Sequence, residues 1–268
     1  MITRLMIIIA SLTFNASADI SYVKVKDFDV EYEIKGKGKH LVFLEAGGAA
    51  GLSDWDPIFE KIAQKTKVIR YSRIGNGGSS PLIKNYSSEQ YAQEAALVLE
   101  ALNIKQPIIY VAHSYGAYIA RRFSATYPDK VSALMLIEPA SEHDVDIMRK
   151  IDLALAEKQI AQVKLDDLAN GMSNQYLDFW SKRPLPDYPQ IPNIPVTVIA
   201  SIKKFENPSL LFFTDEGRKL WGQLHTDWVN KFPQGKIVLT DKSYHYPQND
   251  EPDMVVSEIL ELLSRTKY

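Results

Sequence analysis

The hydrophobic residues of this chain fall into short continuous runs that alternate with longer stretches of helical spacing. Continuous apolar runs are typical of buried strands, and here they occupy residues 41–44, 68–71, 108–112 and 133–137. Apolar residues recur every three or four positions, as in helices, over residues 57–66, 88–102 and 115–127. Strands that alternate with helices predict a parallel sheet with right-handed crossovers.

The segments on either side extend the same pattern. Residues 22–25 and 30–34 alternate between apolar and polar, which predicts an antiparallel hairpin at the sheet edge. Beyond residue 195 the predicted order is strand 196–200, helix 214–232, strand 236–239 and helix 252–263.

Residues 141–190 carry helical patterns without a strand and end in a stretch rich in proline. Because proline donates no N–H and blocks helix continuation, the five prolines between residues 182 and 195 predict an extended return path. The expected fold is therefore α/β, a mostly parallel twisted sheet flanked by helices. Its core is expected over residues 19–140 and 191–268, with residues 141–190 as a helical cap insertion.

The N-terminal residues have the parts of a secretory signal peptide. Arg4 precedes an apolar run over residues 5–14, and Ala16-Ser17-Ala18 forms a cleavage site before Asp19. A transmembrane helix needs about 20 apolar residues, so the run is too short for a stable membrane anchor. An uncleaved N-terminal anchor is the alternative. We expect residues 1–18 to be removed and the mature chain to be secreted or periplasmic.

Composition narrows the choice of partner. Hydrophobic residues make up 46% of the chain, and its net charge of -2 fits one globular domain with a large core. The chain contains no cysteine, so no disulfide contributes to its stability. A nearly neutral chain without a basic stripe lacks the electrostatic footprint of a nucleic-acid-binding protein. A small-molecule substrate is the expected partner, and the sequence leaves the oligomeric state open.

The candidate nucleophile lies where the strand over residues 108–112 turns into the next helix. Ser114 occupies this turn, with the small residues Ala112 and Gly116 two positions before and after it. A strand that reverses sharply into a helix strains the turning residue and leaves space only for small neighbours. The spacing indicates a nucleophilic serine. The alternative is a serine that only caps the helix, since serine is a favoured N-cap residue.

A serine nucleophile requires a base to accept its proton, and His245 is the candidate. It lies in a loop between the last predicted strand and the terminal helix; the weaker candidates are His40, His113, His143 and His225. His113 adjoins the serine, and we expect its side chain to point to the opposite side of the turn. A surface histidine without a catalytic role is the alternative for His245.

Three motifs together resemble the α/β-hydrolase superfamily over nearly the whole mature chain. Residues 44–55 resemble the family's oxyanion loop, residues 71–79 its Y-D-R-x-G-x-G-x-S loop, and residues 245–255 its C-terminal histidine block. The Glu-Ala-Gly opening at residues 45–47 is similar to that of a bacterial subgroup of the superfamily.

The resemblance implies a serine hydrolase. No cluster of His, Asp and Glu in the sequence has the spacing of metal ligands, so we expect no metal or other cofactor. Backbone N–H groups of Gly48 and Tyr115 would hold the oxyanion that develops on the substrate. Glu45 replaces an apolar residue at the strand end, and we expect it to form a structural ion pair with Arg73.

The sequence offers several carboxylates for the acid that orients His245. In the commonest arrangement of the family it follows the strand over residues 196–200, where this chain has Lys203 and Lys204. Glu138 stands at the carboxyl end of the preceding strand, a position that some superfamily members use for the triad acid. Glu138 is therefore the expected acid, and the alternatives are Glu206, Asp241, Asp215 and Asp144.

These residues predict a hydrolase that cleaves a small ester, or less favourably an amide, through an acyl-enzyme intermediate. Tyr176, Phe179 and Trp180 of the insertion are expected either to line the substrate pocket or to pack the cap onto the body. One alternative is an aminopeptidase resembling the proline iminopeptidases. Another is a non-catalytic binding protein that retains the fold.

Overall fold

The computed structural model describes residues 20–83, 86–169 and 187–266. The strands are β1 (Ser21–Val25), β2 (Phe28–Lys35), β3 (Leu41–Glu45), β4 (Lys67–Tyr71), β5 (Ile108–His113), β6 (Val131–Ile137), β7 (Val196–Ser201) and β8 (Gly235–Thr240). The helices are α1 (Asp56–Ala63), α2 (Ser88–Ala101), α3 (Gly116–Thr126), α4 (Asp144–Ile151), α5 (Leu153–Ala169), α6 (Asp215–Val229), α7 (Pro247–Asp250) and α8 (Pro252–Arg265). Short 3-10 helices cover Leu52–Trp55, Pro128–Lys130 and Leu211–Phe213.

The strands form one 8-stranded sheet in the order β1-β2-β4-β3-β5-β6-β7-β8. β1 and β2 form the predicted antiparallel hairpin, and β2 also pairs antiparallel with β4. The pairs from β4 to β8 are parallel. Because parallel strands end at the same edge, the loops that follow β3, β5, β6, β7 and β8 meet there, the usual position of a ligand site in such sheets.

The sheet is buried on both faces, which explains the continuous apolar runs in its strands. On β3, Phe43 packs on one face and Leu44 on the other, because successive side chains of a strand point in opposite directions. Helices α2, α3 and α6 contribute to the first core, for example through Phe123, and α1 and α8 contribute to the second, for example through Ile259. The predicted fold, a mostly parallel sheet flanked by helices, is confirmed.

Local side chains set the helix ends. Ser87 and Gln90 form a capping box at α2, in which each side chain accepts a hydrogen bond from the other residue's N–H. The helix predicted over residues 214–232 is shorter, Asp215–Val229, and its N-cap Thr214 accepts from the N–H of Gly217.

Helices α4 and α5 lie in the predicted insertion. Tyr176, Phe179 and Trp180, expected to line the pocket, lie outside the described residues, as does the predicted signal peptide over residues 1–18. These assignments and the domain boundaries stay predictions. Within the described residues, no helix combines the length and the apolar character that crossing a membrane requires.

Candidate active site

Ser114 occupies a strained turn between β5 and α3. Its φ of 49° lies in the left-handed region, which non-glycine residues seldom adopt, and its N–H donates to the carbonyl of Ile137 at 3.0 Å. A Cβ at Gly116 would lie 2.7 Å from the carbonyl oxygen of Ala46, so the turn leaves no space for a side chain there. The N-cap of α3 is Tyr115, without a side-chain cap, so Ser114 does not perform the capping role considered as an alternative.

Glu138 follows β6 in a second left-handed turn, with a φ of 42°. Its carboxylate is buried, at 4% exposure. Oε1 accepts from the N–H of Ser201 at 2.6 Å, from Nε1 of Trp221 at 2.9 Å and from Arg218 at 3.1 Å. Oε2 faces Nδ1 of His245 at 3.6 Å, a separation longer than an ordinary hydrogen bond. Distances of this kind often shorten only when a substrate is bound.

The surroundings of Glu138 favour its ionised form. Burial raises its pKa, but the contact with His245, the charge of Arg218 and the hydrogen bond from Trp221 lower it by more. The pKa therefore lies below its usual value, and the carboxylate is ionised at neutral pH. An ionised acid behind a histidine holds one ring tautomer and stabilises the imidazolium.

His245 lies on the loop that follows β8, and its side chain is half exposed, at 48%. The hydroxyl of Ser201 holds this loop by donating to the carbonyl of Ser243 at 2.6 Å. Lys203, which stands near the family's usual acid position, holds the loop as well: its Nζ donates to the carbonyl of Lys242 at 2.7 Å and lies 3.9 Å from the ring centre of Tyr244.

The other candidate acids do not contact His245 in the described structure. Glu206 and Asp241 are exposed, and exposed Asp215 pairs with Lys204 at 2.6 Å. Asp144 is buried and lines the same cavity as Ser114, but its Oδ1 accepts from the N–H of Ser141 at 3.0 Å. Among these five carboxylates, Glu138 is the one that the fold brings to His245.

The glycine loop after β3 lies against the nucleophile turn. A Cβ at Gly47 would lie 3.5 Å from Cβ of Ser114, and Gly48 follows directly. Arg73 holds this loop by donating to the carbonyl oxygens of Ala46, at 2.7 Å, and Gly47. The predicted ion pair between Arg73 and Glu45 is confirmed at 2.5 Å, and both residues are buried.

A cavity of about 410 Å³ opens beside these residues. Its lining includes Ser114, Tyr115, Glu138 and His245. Most of the remaining wall is apolar and consists of Ala140, Phe205, Leu210, Phe212, Phe213, Trp221 and Tyr244. We define the aromatic wall as the rings of Phe205, Phe212, Phe213, Trp221 and Tyr244; neighbouring rings in it lie between 4.6 and 5.4 Å apart.

The sequence analysis did not predict the aromatic wall, because it assigned the pocket residues to the insertion. Most of its rings come from the segment between β7 and α6. The signal in the sequence is the occurrence of Phe205, Phe212 and Phe213 directly after a strand at whose carboxyl end a ligand site is expected. Arg218 and Trp221, the partners of Glu138, had no such signal because they lie inside a regular helix.

Comparisons with known proteins agree with this architecture. A family model described as the alpha/beta hydrolase fold matches residues 39–182, more than half of the chain. The uncharacterized protein YqjL of Bacillus subtilis (strain 168) is 24% identical over 221 residues, 82% of each chain. The bifunctional esterase/perhydrolase DCH of Acinetobacter calcoaceticus is 29% identical over 122 residues, 44% of each chain. A thermophilic esterase from Thermogutta terrifontis has a TM-score of 0.63 at 18% identity, with 92% of this chain and 98% of that one covered. This chain therefore belongs to the alpha/beta-hydrolase fold family.

Proposed function

We propose that this protein is a serine hydrolase that cleaves small esters through an acyl-enzyme intermediate. The observation that carries the proposal is one cavity lined by Ser114, Glu138 and His245, which follow three different strands. The left-handed backbone of Ser114 and the contact of 3.6 Å between Glu138 and His245 support the same assignment. Membership of a hydrolase family, together with similarity to an esterase/perhydrolase, favours ester hydrolysis as the reaction.

In the proposed reaction, Oγ of Ser114 attacks the ester carbonyl carbon while Nε2 of His245 accepts the hydroxyl proton. Glu138 faces Nδ1, which leaves Nε2 for the serine. The tetrahedral intermediate collapses, its C–O bond to the alcohol breaks, and the alcohol leaves with the proton from His245. Water then attacks the acyl-enzyme with His245 again as base, the carboxylic acid leaves, and Ser114 regains its proton.

Backbone N–H groups of Gly48 and Tyr115 are proposed to hold the oxyanion. Tyr115 follows the nucleophile and lines the cavity, while Gly48 belongs to the glycine loop that lies against Ser114. Removing a single donor of this type costs about 3 kcal/mol of transition-state stabilisation in a well-studied protease. Two donors that the backbone holds in place therefore favour acyl transfer.

The proposed substrate is a neutral ester with an apolar acyl or alcohol group. The charged residues among the described cavity lining have partners of their own, since Glu138 pairs with Arg218 and Asp144 accepts from Ser141. An apolar lining with a few placed polar groups is typical of small-molecule sites. Tyr176, Phe179 and Trp180 of the insertion remain proposed as further lining residues.

Labelling with a fluorophosphonate probe tests this proposal. Such a probe reacts with a serine whose hydroxyl is activated, so we expect the wild type to be labelled and Ser114→Ala and His245→Ala to remain unlabelled. An unlabelled wild type would overturn the proposal and favour a non-catalytic binding protein. Faster cleavage of an aminoacyl p-nitroanilide than of p-nitrophenyl acetate would instead favour an aminopeptidase.

We further propose that residues 1–18 direct the chain out of the cytoplasm, that a small molecule is its partner, and that it uses neither nucleic acid nor a stable membrane anchor. N-terminal sequencing of the protein from cell fractions is expected to begin at Asp19. A full-length N terminus on the fractionated protein would contradict cleavage.

A further inference from the structure

Asp54 connects the three loops that carry the candidate active site. It lies in the 3-10 helix Leu52–Trp55 and is 8% exposed. Its Oδ2 accepts from the N–H of Gly47 in the glycine loop at 2.8 Å and lies 2.9 Å from Nδ1 of His113 at the nucleophile turn. Its Oδ1 accepts from Nε2 of Gln248, three residues after His245, at 3.1 Å.

His113 continues this connection to His245. It immediately precedes Ser114 and is 1% exposed. Its Nδ1 faces Asp54, and its Nε2 lies 2.8 Å from the main-chain carbonyl oxygen of His245. From the sequence, we expected only that this side chain points away from the serine. Its contacts with Asp54 and His245 were not predicted, because both partners lie on loops distant in sequence.

The hydrogen-bond partners of His113 indicate which of its ring nitrogens carry a proton. A carbonyl oxygen only accepts hydrogen bonds, so Nε2 carries a proton. On the other side, both oxygens of Asp54 already accept from N–H groups, as expected for a carboxylate. The second proton therefore belongs on Nδ1 of His113. The other titratable groups that face this ring are His245, with ring centres 5.0 Å apart, and Tyr246, at 5.1 Å.

We propose that Asp54 and His113 form a buried carboxylate–imidazolium pair that positions the catalytic groups. The pair holds the glycine loop against the nucleophile turn through Gly47 and holds the backbone of His245 through its carbonyl. Its role in catalysis rests on the proposed function, but its protonation and contacts do not. Neither side chain is required to touch the reacting atoms, so both are positioning residues.

The pair is charged because both ring nitrogens of His113 face hydrogen-bond acceptors. A neutral imidazole donates through one nitrogen only, so it would leave either Asp54 or the carbonyl of His245 without its donor. Charge-assisted hydrogen bonds are shorter and stronger than neutral ones, so they restrict the positions of their partners more tightly. The side chain of His245 is half exposed, so its backbone needs an anchor on the buried side.

The first test is ¹⁵N-edited NMR of the histidine rings in the wild type. At about pH 8 we expect one histidine to carry protons on both ring nitrogens, because each nitrogen of His113 faces an acceptor. This signal should be absent from His113→Gln, which assigns it. Asp54→Asn should convert the ring to a neutral tautomer. A single ring proton on His113 in the wild type would overturn the proposal, whether or not the protein is an enzyme.

The second test separates positioning from general stability. Asp54→Asn is expected to lower kcat on the order of tenfold to a hundredfold, as small displacements of catalytic groups do, with KM changed little. The matched control is Glu33→Gln, which removes another buried carboxylate, bonded to Arg70 at 2.6 Å and absent from the cavity lining. Equal kcat losses in both variants, or unchanged kcat in folded Asp54→Asn, would overturn the positioning role. If fluorophosphonate does not label the wild type but His113 is doubly protonated, the proposed function is refuted and the charged pair is retained.

Discussion

Glu138 directs one carboxylate oxygen at His245 and has the other held by three donors from the body of the protein. Oε2 lies 3.6 Å from Nδ1 of His245, while Oε1 accepts from Ser201, Trp221 and Arg218. The carboxylate is therefore held in place before the histidine charges. The position after β7 carries Lys203 in place of an acid, and its Nζ supports the histidine loop by donating to the carbonyl of Lys242.

Glu138→Gln is expected to lower the turnover of p-nitrophenyl acetate by at least about tenfold, since loss of the triad acid costs ~10⁴ in a well-studied protease. A neutral amide cannot stabilise the imidazolium of His245. Steady-state kinetics of the folded variant measure this effect. Glu206→Gln and Asp241→Asn are the controls, and a larger loss in either would assign the acid to that residue instead.

Gly116→Ala is expected to abolish fluorophosphonate labelling and to lower the unfolding temperature. Its Cβ would lie 2.7 and 2.8 Å from the carbonyl oxygens of Ala46 and Glu45, which are backbone atoms and cannot move aside easily. Gly222→Ala on α6 is the matched control, because its Cβ would meet side-chain methyl groups instead of backbone atoms: Cγ2 of Ile202 at 2.8 Å and Cδ2 of Leu239 at 3.5 Å. Equal behaviour of the two variants in labelling and thermal melts would refute crowding at the nucleophile turn.

Phe213→Ala is expected to reduce kcat/KM for p-nitrophenyl benzoate or butyrate about tenfold more than for p-nitrophenyl acetate. Phe213 contacts Phe205 in the aromatic wall, with ring centres 4.8 Å apart, and a larger acyl group would lose more contact. Phe232→Ala, which removes a ring packed on Trp228 rather than in the cavity lining, serves as the control. A uniform loss across all esters would mean that Phe213 does not select the acyl group.

Glu94→Gln is expected to stabilise the protein at neutral and mildly alkaline pH. Burial raises the pKa of Glu94 to about 8, while its Oε1 accepts from the N–H of Ile74 at 2.9 Å. Between the unfolded pKa and this value, the unfolded chain loses a proton that the folded protein keeps, so the wild type loses stability as pH rises. From pH 4.5 to 7 the effect reaches about 3 kcal/mol at about 1.4 kcal/mol per pH unit.

Urea denaturation at several values between about pH 5 and pH 8 measures this effect as the difference in the free energy of unfolding between the variant and the wild type. The difference should grow with pH in favour of Glu94→Gln, whose side-chain oxygen can still accept from Ile74. Glu100→Gln, which replaces an exposed carboxylate on the same helix, is the control for the substitution itself. Parallel stability curves for Glu94→Gln and the wild type would contradict the raised pKa.

The sequence by itself determined the order of strands and helices, the parallel sheet and the position of Ser114 at a strand-to-helix turn. These features depend on local spacing: apolar runs mark strands buried on both faces, and small residues beside a serine mark a sharp turn. The ion pair between Glu45 and Arg73 was also predictable, because two motifs of the chain each supplied one charged residue near a strand end.

Only the tertiary structure decided which carboxylate reaches His245, which rings line the cavity, and that Asp54 and His113 connect the catalytic loops. Glu138 meets Arg218 and Trp221 across 80 and 83 positions of the chain, and Asp54 meets Gln248 across 194. Spacing along the chain carries no signal for such contacts. They arise where the ends of parallel strands meet, and which side chains touch there depends on the packing of the helices and loops around them.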